Sequence, residues 1–100
     1  TVIGGGAKGA TWRRIMADVY QAEILKPDYL EEATSMGAAI IGGVGCGVFK
    51  SFEVADRFIQ VTERTRPDPA PAAAYRQAKE LLNDSYAALE PLFARFGKKA

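Results

Sequence analysis

Residues 1–27 read TVIGGGAKGATWRRIMADVYQAEILKP, and the fold turns on how this stretch is parsed. Thr1-Val2-Ile3 is a short run rich in β-branched side chains, which suits an extended strand. A glycine loop follows, with Gly4, Gly5, Gly6 and Gly9 in GGGAKG. Beyond it, Trp12, Ile15, Met16, Val19 and Tyr20 fall at i, i+3, i+4, i+7 and i+8. That spacing is the apolar stripe of a helix over about residues 11–21, with Thr11 placed to cap it. Ala22 to Lys26 is short and partly apolar, and Pro27 ends it, so it reads as a second strand. Strand, loop, helix and strand in this order predict one right-handed βαβ unit with parallel strands. A strand built from the first three residues has no lead-in, so the chain is expected to be a piece of a longer polypeptide.

Outward from this unit the pattern stays helical. Asp28 and Glu31 have the D-x-x-E spacing of a capping box, and Glu31 and Glu32 suit the positive end of a helix dipole. The helix they open is expected to continue through MGAAIIGGVGCG, where Gly37, Ala38 and Ala39 lower propensity but leave room for another backbone. Ser51 is expected to cap a short helix with Phe52, Ala55, Phe58 and Ile59 turned inward. RTRPDPAP, with Pro67, Pro69 and Pro71, reads as a linker, since proline breaks both helix and central strand. A last helix starts near Pro71 or Ala72. Its face of Tyr75, Leu82, Tyr86, Leu89, Phe93 and Phe96 is expected to pack on its own domain, with a kink at Pro91.

Composition narrows the function. Apolar residues make up 48% and charged residues 25% of the 100 residues, an ordinary balance for a chain that buries a core. A net charge of +1 supplies no broad basic field, so neither nucleic acid nor an anionic membrane is an expected partner. No apolar run approaches the ~20 residues of a membrane span. The N-terminus lacks the basic region and long apolar segment of a signal peptide. The lone cysteine, Cys46, is expected to be a small buried residue in a reducing compartment, and a cytoplasmic location follows. Histidine is absent, which removes from this chain the commonest general base and the commonest zinc ligand.

The glycine loop carries the chemistry. Glycines between a strand and a helix N-terminus let backbone N–H groups approach a phosphate, and the helix dipole adds a favourable field. Gly4, Gly6 and Gly9 also match the dinucleotide fingerprint G-x-G-x-x-G, which would imply a small NAD-binding module. That fingerprint requires an acidic residue at the end of the second strand. Here the strand ends in Leu25-Lys26-Pro27, and Glu23 stands at its beginning. The Walker pattern fails as well, because Lys8 is followed by Gly9 rather than Ser or Thr. A non-enzymatic interaction domain built on the last helix is the remaining alternative.

A longer pattern fits better. The GGGAK loop followed by W-R-x-I-M-A-D, the short strand with K-P, the run EEATSMGAA, and the P-D-P turn at Pro67 to Pro69 together resemble the C-terminal domain of the FGGY carbohydrate kinases, the xylulokinase-like members in particular. The resemblance implies an α/β fold that is part of an actin-like ATPase (RNase H-like) domain. Residues 1–48 would form a strand–helix–strand–helix segment on the nucleotide side, and 49–100 its closing helices. It implies ATP with Mg2+ and phosphoryl transfer to a sugar hydroxyl, xylulose or a related pentulose. Gly5, Gly6 and Ala7 would lie at the phosphates, with Lys8, Gly9 and Ala10 beside ribose or adenine. Where glycerol kinases of the family carry Asn, this chain has Ala10. The catalytic base and the Mg2+ ligands would come from parts of the kinase outside these residues, so the segment alone is not expected to be catalytically competent. The remainder of the kinase chain, or a second copy in a homodimer, would cover its sheet edge and helix faces.

Overall fold

The computed structural model describes residues 1–97. It is a mixed α/β arrangement built on two strands, β1 (Ile24–Pro27) and β2 (Val61–Thr65). Its helices are α1 (Ala10–Tyr20), α2 (Ala33–Gly45), the single turn α3 (Ala55–Phe58) and α4 (Ala72–Gly97), with short 3₁₀ turns at Gly5–Lys8 and Phe52–Val54.

The strand pairing differs from the sequence expectation. β1 pairs antiparallel with β2, in the register Ile24 with Thr65, Leu25 with Arg64 and Lys26 with Glu63, and a shift follows before Pro27 meets Val61. Residues 1–3 do not form a strand. One bond, from the Val2 N–H to the Leu25 carbonyl at 3.0 Å, holds them beside β1. The predicted parallel β-ladder is therefore absent among the described residues. The partner strand Val61–Thr65 lies where no strand was expected, because its sequence VTERT has β-branched residues but no apolar alternation. Thr62 is passed over in the ladder, and its hydroxyl donates to the Lys26 carbonyl at 3.1 Å.

Helix α1 falls within a residue of its expected span, but it turns a different face inward. Its buried residues are Arg13, Ala17 and Asp18, whereas Trp12 is 53% and Tyr20 71% exposed. Gly9 takes the N-cap position without any side-chain bond, so Thr11 does not cap. At the other end Gln21 adopts the left-handed conformation at φ 47°. Its amide donates to the Asp18 carbonyl at 2.7 Å and to the Asp68 carbonyl at 2.9 Å. The buried Asp18 carboxylate accepts from the Asp68 N–H at 2.7 Å. The P-D-P turn is thus fastened to the end of α1 and is not a free linker.

Asp28 does not cap α2. Its Oδ1 accepts from the N–H groups of Tyr29 and Gln60, and its own N–H donates to the Gln60 carbonyl at 2.9 Å. It thereby ties the end of β1 to the lead-in of β2. Helix α2 starts later, at Ala33, with Glu32 at the N-cap and no side-chain cap bond. Ser51 occupies the N-cap of the 3₁₀ turn at Phe52–Val54, also without a side-chain bond.

The core is small: Ala7, Ala17, Ile24, Leu30 and Ile40 are its buried apolar residues, with Pro27 fully enclosed. A satellite cluster forms where the Phe49 ring packs 5.8 Å from Phe58. Gly43 makes room for it, since a Cβ there would lie 2.4 Å from the Phe49 ring. Gly37 has open space around it instead. Cys46, expected to be buried, is exposed. Helix α4 runs through Pro91 and buries no residue along its length, and it contacts α1. Its face, expected to pack inward, leaves Leu82, Tyr86, Leu89, Phe93 and Phe96 open. The radius of gyration, 19.0 Å, exceeds the roughly 13 Å of a compact chain of this length. Among the described residues, no helix is long and apolar enough to cross a membrane.

Candidate functional site

The glycine loop occupies the place between the β1 edge and the α1 N-terminus. Gly4 has φ +81°, a conformation that L side chains rarely adopt, so a glycine is required there. Its N–H donates to the Leu30 carbonyl at 3.0 Å, and its carbonyl accepts from the Ala7 N–H at 3.1 Å. The chain then closes one 3₁₀ turn over Gly5–Lys8 and passes through Gly9 into α1.

The six residues expected at a nucleotide are thus contiguous but not equivalent. Gly5, Gly6, Lys8, Gly9 and Ala10 are exposed, whereas Ala7 is 2% exposed and its N–H is already engaged by Gly4. The first N–H groups of a 3₁₀ or α-helical turn have no partner inside that turn. Here they belong to Gly5 and Gly6, and to Ala10, Thr11 and Trp12 before the Arg13 N–H reaches the Gly9 carbonyl. Two sets of backbone donors therefore flank one exposed loop, next to the positive end of an 11-residue helix dipole. That arrangement suits an anion.

Sequence reasoning missed two residues here. Trp12 was read as core, yet its ring lies beside the loop, with Cδ1 and Nε1 each 3.5 Å from where a Gly6 Cβ would stand. Arg13 enters the sequence reading only as one letter of W-R-x-I-M-A-D and is given no role there, because an arginine in a helical stripe reads as a solvated charge. It is 3% exposed. Its Nη1 donates to the Ala7 carbonyl at 2.6 Å and the Lys8 carbonyl at 3.0 Å, and its Nη2 donates to Glu63 Oε2 at 2.5 Å. Glu63 Oε1 in turn accepts from Lys26 Nζ at 2.5 Å. Arg13 Nε is buried without a hydrogen-bond partner among the described residues.

Charge is arranged accordingly. The Lys26 hydrogen bond holds the Glu63 carboxyl below the usual carboxylate range, with Arg13 adding a smaller attraction and partial burial opposing both. Lys8 forms an ion pair with Glu31, which lowers the Glu31 carboxyl in the same sense. Lys8 is thereby drawn toward the α2 lead-in. Glu23, the acidic residue nearest the dinucleotide pattern, is taken by Arg64 at 3.2 Å and Arg66 at 3.5 Å.

Two cavities lie elsewhere. One, of about 510 Å³, is lined by Val48–Ser51, Glu53, Val54 and Arg57. A smaller apolar one of about 150 Å³ lies between α2, Phe49 and Phe58. Neither includes a loop residue. Among the described residues no cluster of His, Cys, Asp or Glu could hold a metal ion. The residues present therefore do not fit Mg2+ on their own, although the N–H groups of the loop fit a phosphate.

No protein-family model matches the chain. Among curated proteins, the autoinducer-2 kinases of Salmonella paratyphi B and Salmonella typhimurium are each 40% identical over 78 residues. The autoinducer-2 kinase of Escherichia coli is 37% identical over the same length. Each match covers 77% of this chain but 14% of the relative.

Proposed function

We propose that this chain is the nucleotide-side segment of an ATP-dependent kinase that phosphorylates a hydroxyl of a small carbohydrate-like acceptor. The observation that carries this reading is the 40% identity to autoinducer-2 kinases over 78 residues. The exposed glycine loop at an uncapped helix N-terminus supports it independently. Phosphoryl transfer is governed by positioning and charge stabilisation, and a backbone cradle contributes to both. Gly5 and Gly6 offer N–H groups to the phosphates beside the buried Ala7, which shapes the turn. Lys8, Gly9 and Ala10 border ribose or adenine. Mg2+, whose ligands would lie outside these residues, would supply charge neutralisation at the phosphates. The catalytic base also belongs to the remainder of the kinase, so this segment binds nucleotide without performing transfer. The names of the relatives make autoinducer-2 the first acceptor to assay, ahead of xylulose. A cytoplasmic kinase, covered by its own remaining domains or by a second copy, completes the reading.

The test is a titration of the full-length protein with ATP and with NAD. ATP binding that competes with ADP is the expected outcome, and NAD binding without ATP binding would refute the reading in favour of a dinucleotide module. Gly6→Val sharpens it. A Cβ at Gly6 meets Trp12 at an ordinary 3.5 Å, but the added methyl groups of valine would crowd both the ring and the approach of phosphate. The KM for ATP should rise while acceptor binding without nucleotide stays unchanged. Lys8→Ala should be milder, because the Lys8 side chain is 55% exposed and already paired with Glu31.

A further inference from the structure

We infer that Arg13 is the positioning residue of the glycine loop: its buried guanidinium closes the 3₁₀ turn from inside and sets the loop in the shape that offers Gly5 and Gly6 to phosphate. The inference deepens the nucleotide reading above and rests on it.

The argument begins with unpaired carbonyls. A 3₁₀ turn over Gly5–Lys8 leaves its last carbonyl groups, those of Ala7 and Lys8, without partners inside the turn. The Ala7 carbonyl belongs to a buried residue, and a buried carbonyl requires a donor. No side chain of the loop can supply one, since its residues are glycine, alanine and the outward-paired Lys8. Arg13 stands one α-helical turn past Gly9, so its side chain can reach back beneath the loop. One Nη1 spans both carbonyls, at 2.6 and 3.0 Å.

A planar fork has a second arm, and here it is anchored from outside the loop. Nη2 meets Glu63 on β2, and Lys26 on β1 holds the other oxygen of the same carboxylate. Lys26 and Glu63 are directly opposed in the β-ladder. The loop geometry is therefore referred, through one guanidinium, to the pairing of the two strands. Lysine could not reproduce this, because an ammonium is a point donor without the fixed fork. Arg13 has its charge-bearing Nη atoms turned to protein carbonyls and Glu63, so it acts on phosphate through the loop and not by contact.

The experiment compares the full-length wild type with Arg13→Met, Arg13→Lys and Glu63→Gln. It measures ATP affinity by calorimetry, acceptor affinity without nucleotide, and amide hydrogen exchange over residues 4–10. Arg13→Met should speed exchange in the loop and weaken ATP binding about tenfold or more, the equivalent of losing a hydrogen bond. Acceptor affinity should not move. Arg13→Lys should restore part of the ATP affinity, and Glu63→Gln, which keeps an acceptor but loses the charge, should fall between. Arg13→Lys and Glu63→Gln carry the test if Arg13→Met fails to fold. A wild type that binds ATP, with variants that bind it equally well or lose acceptor affinity in parallel, would overturn the positioning role and leave the nucleotide reading standing. A wild type that binds no ATP would overturn both.

Discussion

The α1–β1–β2 corner and helix α4 hold similar shares of apolar side chains but use them in opposite ways. In the corner, the buried positions of α1 are Arg13, Ala17 and Asp18, and each charged one is tied by hydrogen bonds to a segment distant in sequence. In α4, Leu82, Tyr86, Leu89, Phe93 and Phe96 point to solvent, with only the Tyr86–Phe93 pair, 6.5 Å apart, touching ring to ring. Polar groups thus organise one region, and apolar groups lie unused in the other. The difference teaches that an apolar stripe specifies a buried face only when a partner surface is present to receive it. A buried arginine or aspartate, by contrast, must have found its partners for the corner to exist at all.

The comparison can be broken by substitutions on each side. Ala17 is 0% exposed on the inner face of α1. Ala17→Leu should cost about 1–3 kcal/mol through overpacking, measured as a lower urea midpoint with an unchanged slope. A loss near zero would mean that the corner is loosely packed.

Acid should act next, and on the corner rather than on α4. The Glu63 carboxyl is held low by Lys26 first and Arg13 second. A depressed carboxyl contributes stability that is present above its ordinary value, about 4.3, and is lost as pH falls through its folded value. Hydrogen exchange in β1 and β2 should therefore quicken as pH drops below the usual carboxylate range, after correction for intrinsic rates. Glu63→Gln should flatten that dependence. The exposed face of α4 should show no matching change.

The smallest effect should come from α4. Leu82 is 68% exposed, so Leu82→Ala in this 100-residue chain should change stability by no more than about 0.5 kcal/mol, alanine being also the better helix former. The same substitution in the full-length protein sharpens the contrast. A cost of several kcal/mol there would identify the face as one that the rest of the protein covers.

Much of this architecture was legible in the residues. The stripe from Trp12 to Tyr20 located α1 to within one residue, Pro27 marked the end of β1, and Pro71-Ala72 marked the start of α4. The loop GGGAKG was recognisable as a tight turn ahead of a helix, because glycine and a following helix have local physical consequences. Cys46, Thr11 and Asp28 were misjudged, for a shared reason. Burial and capping depend on what stands nearby in space, and for Asp28 that neighbour is Gln60 on the lead-in to β2.

What the sequence by itself determined is therefore local: helix periodicity, the breaks at proline, and a loop that only glycine could form at Gly4. The tertiary structure alone decided that VTERT is a strand, that it runs antiparallel to β1, and that Arg13 lies buried beneath the loop with Glu63 at its second arm. Periodicity is a property of one segment and can be read along the chain. Strand pairing and the burial of a charge are properties of two segments that meet, here 50 residues apart for Arg13 and Glu63. Their free energy does not exist until the chain has folded back to bring them together.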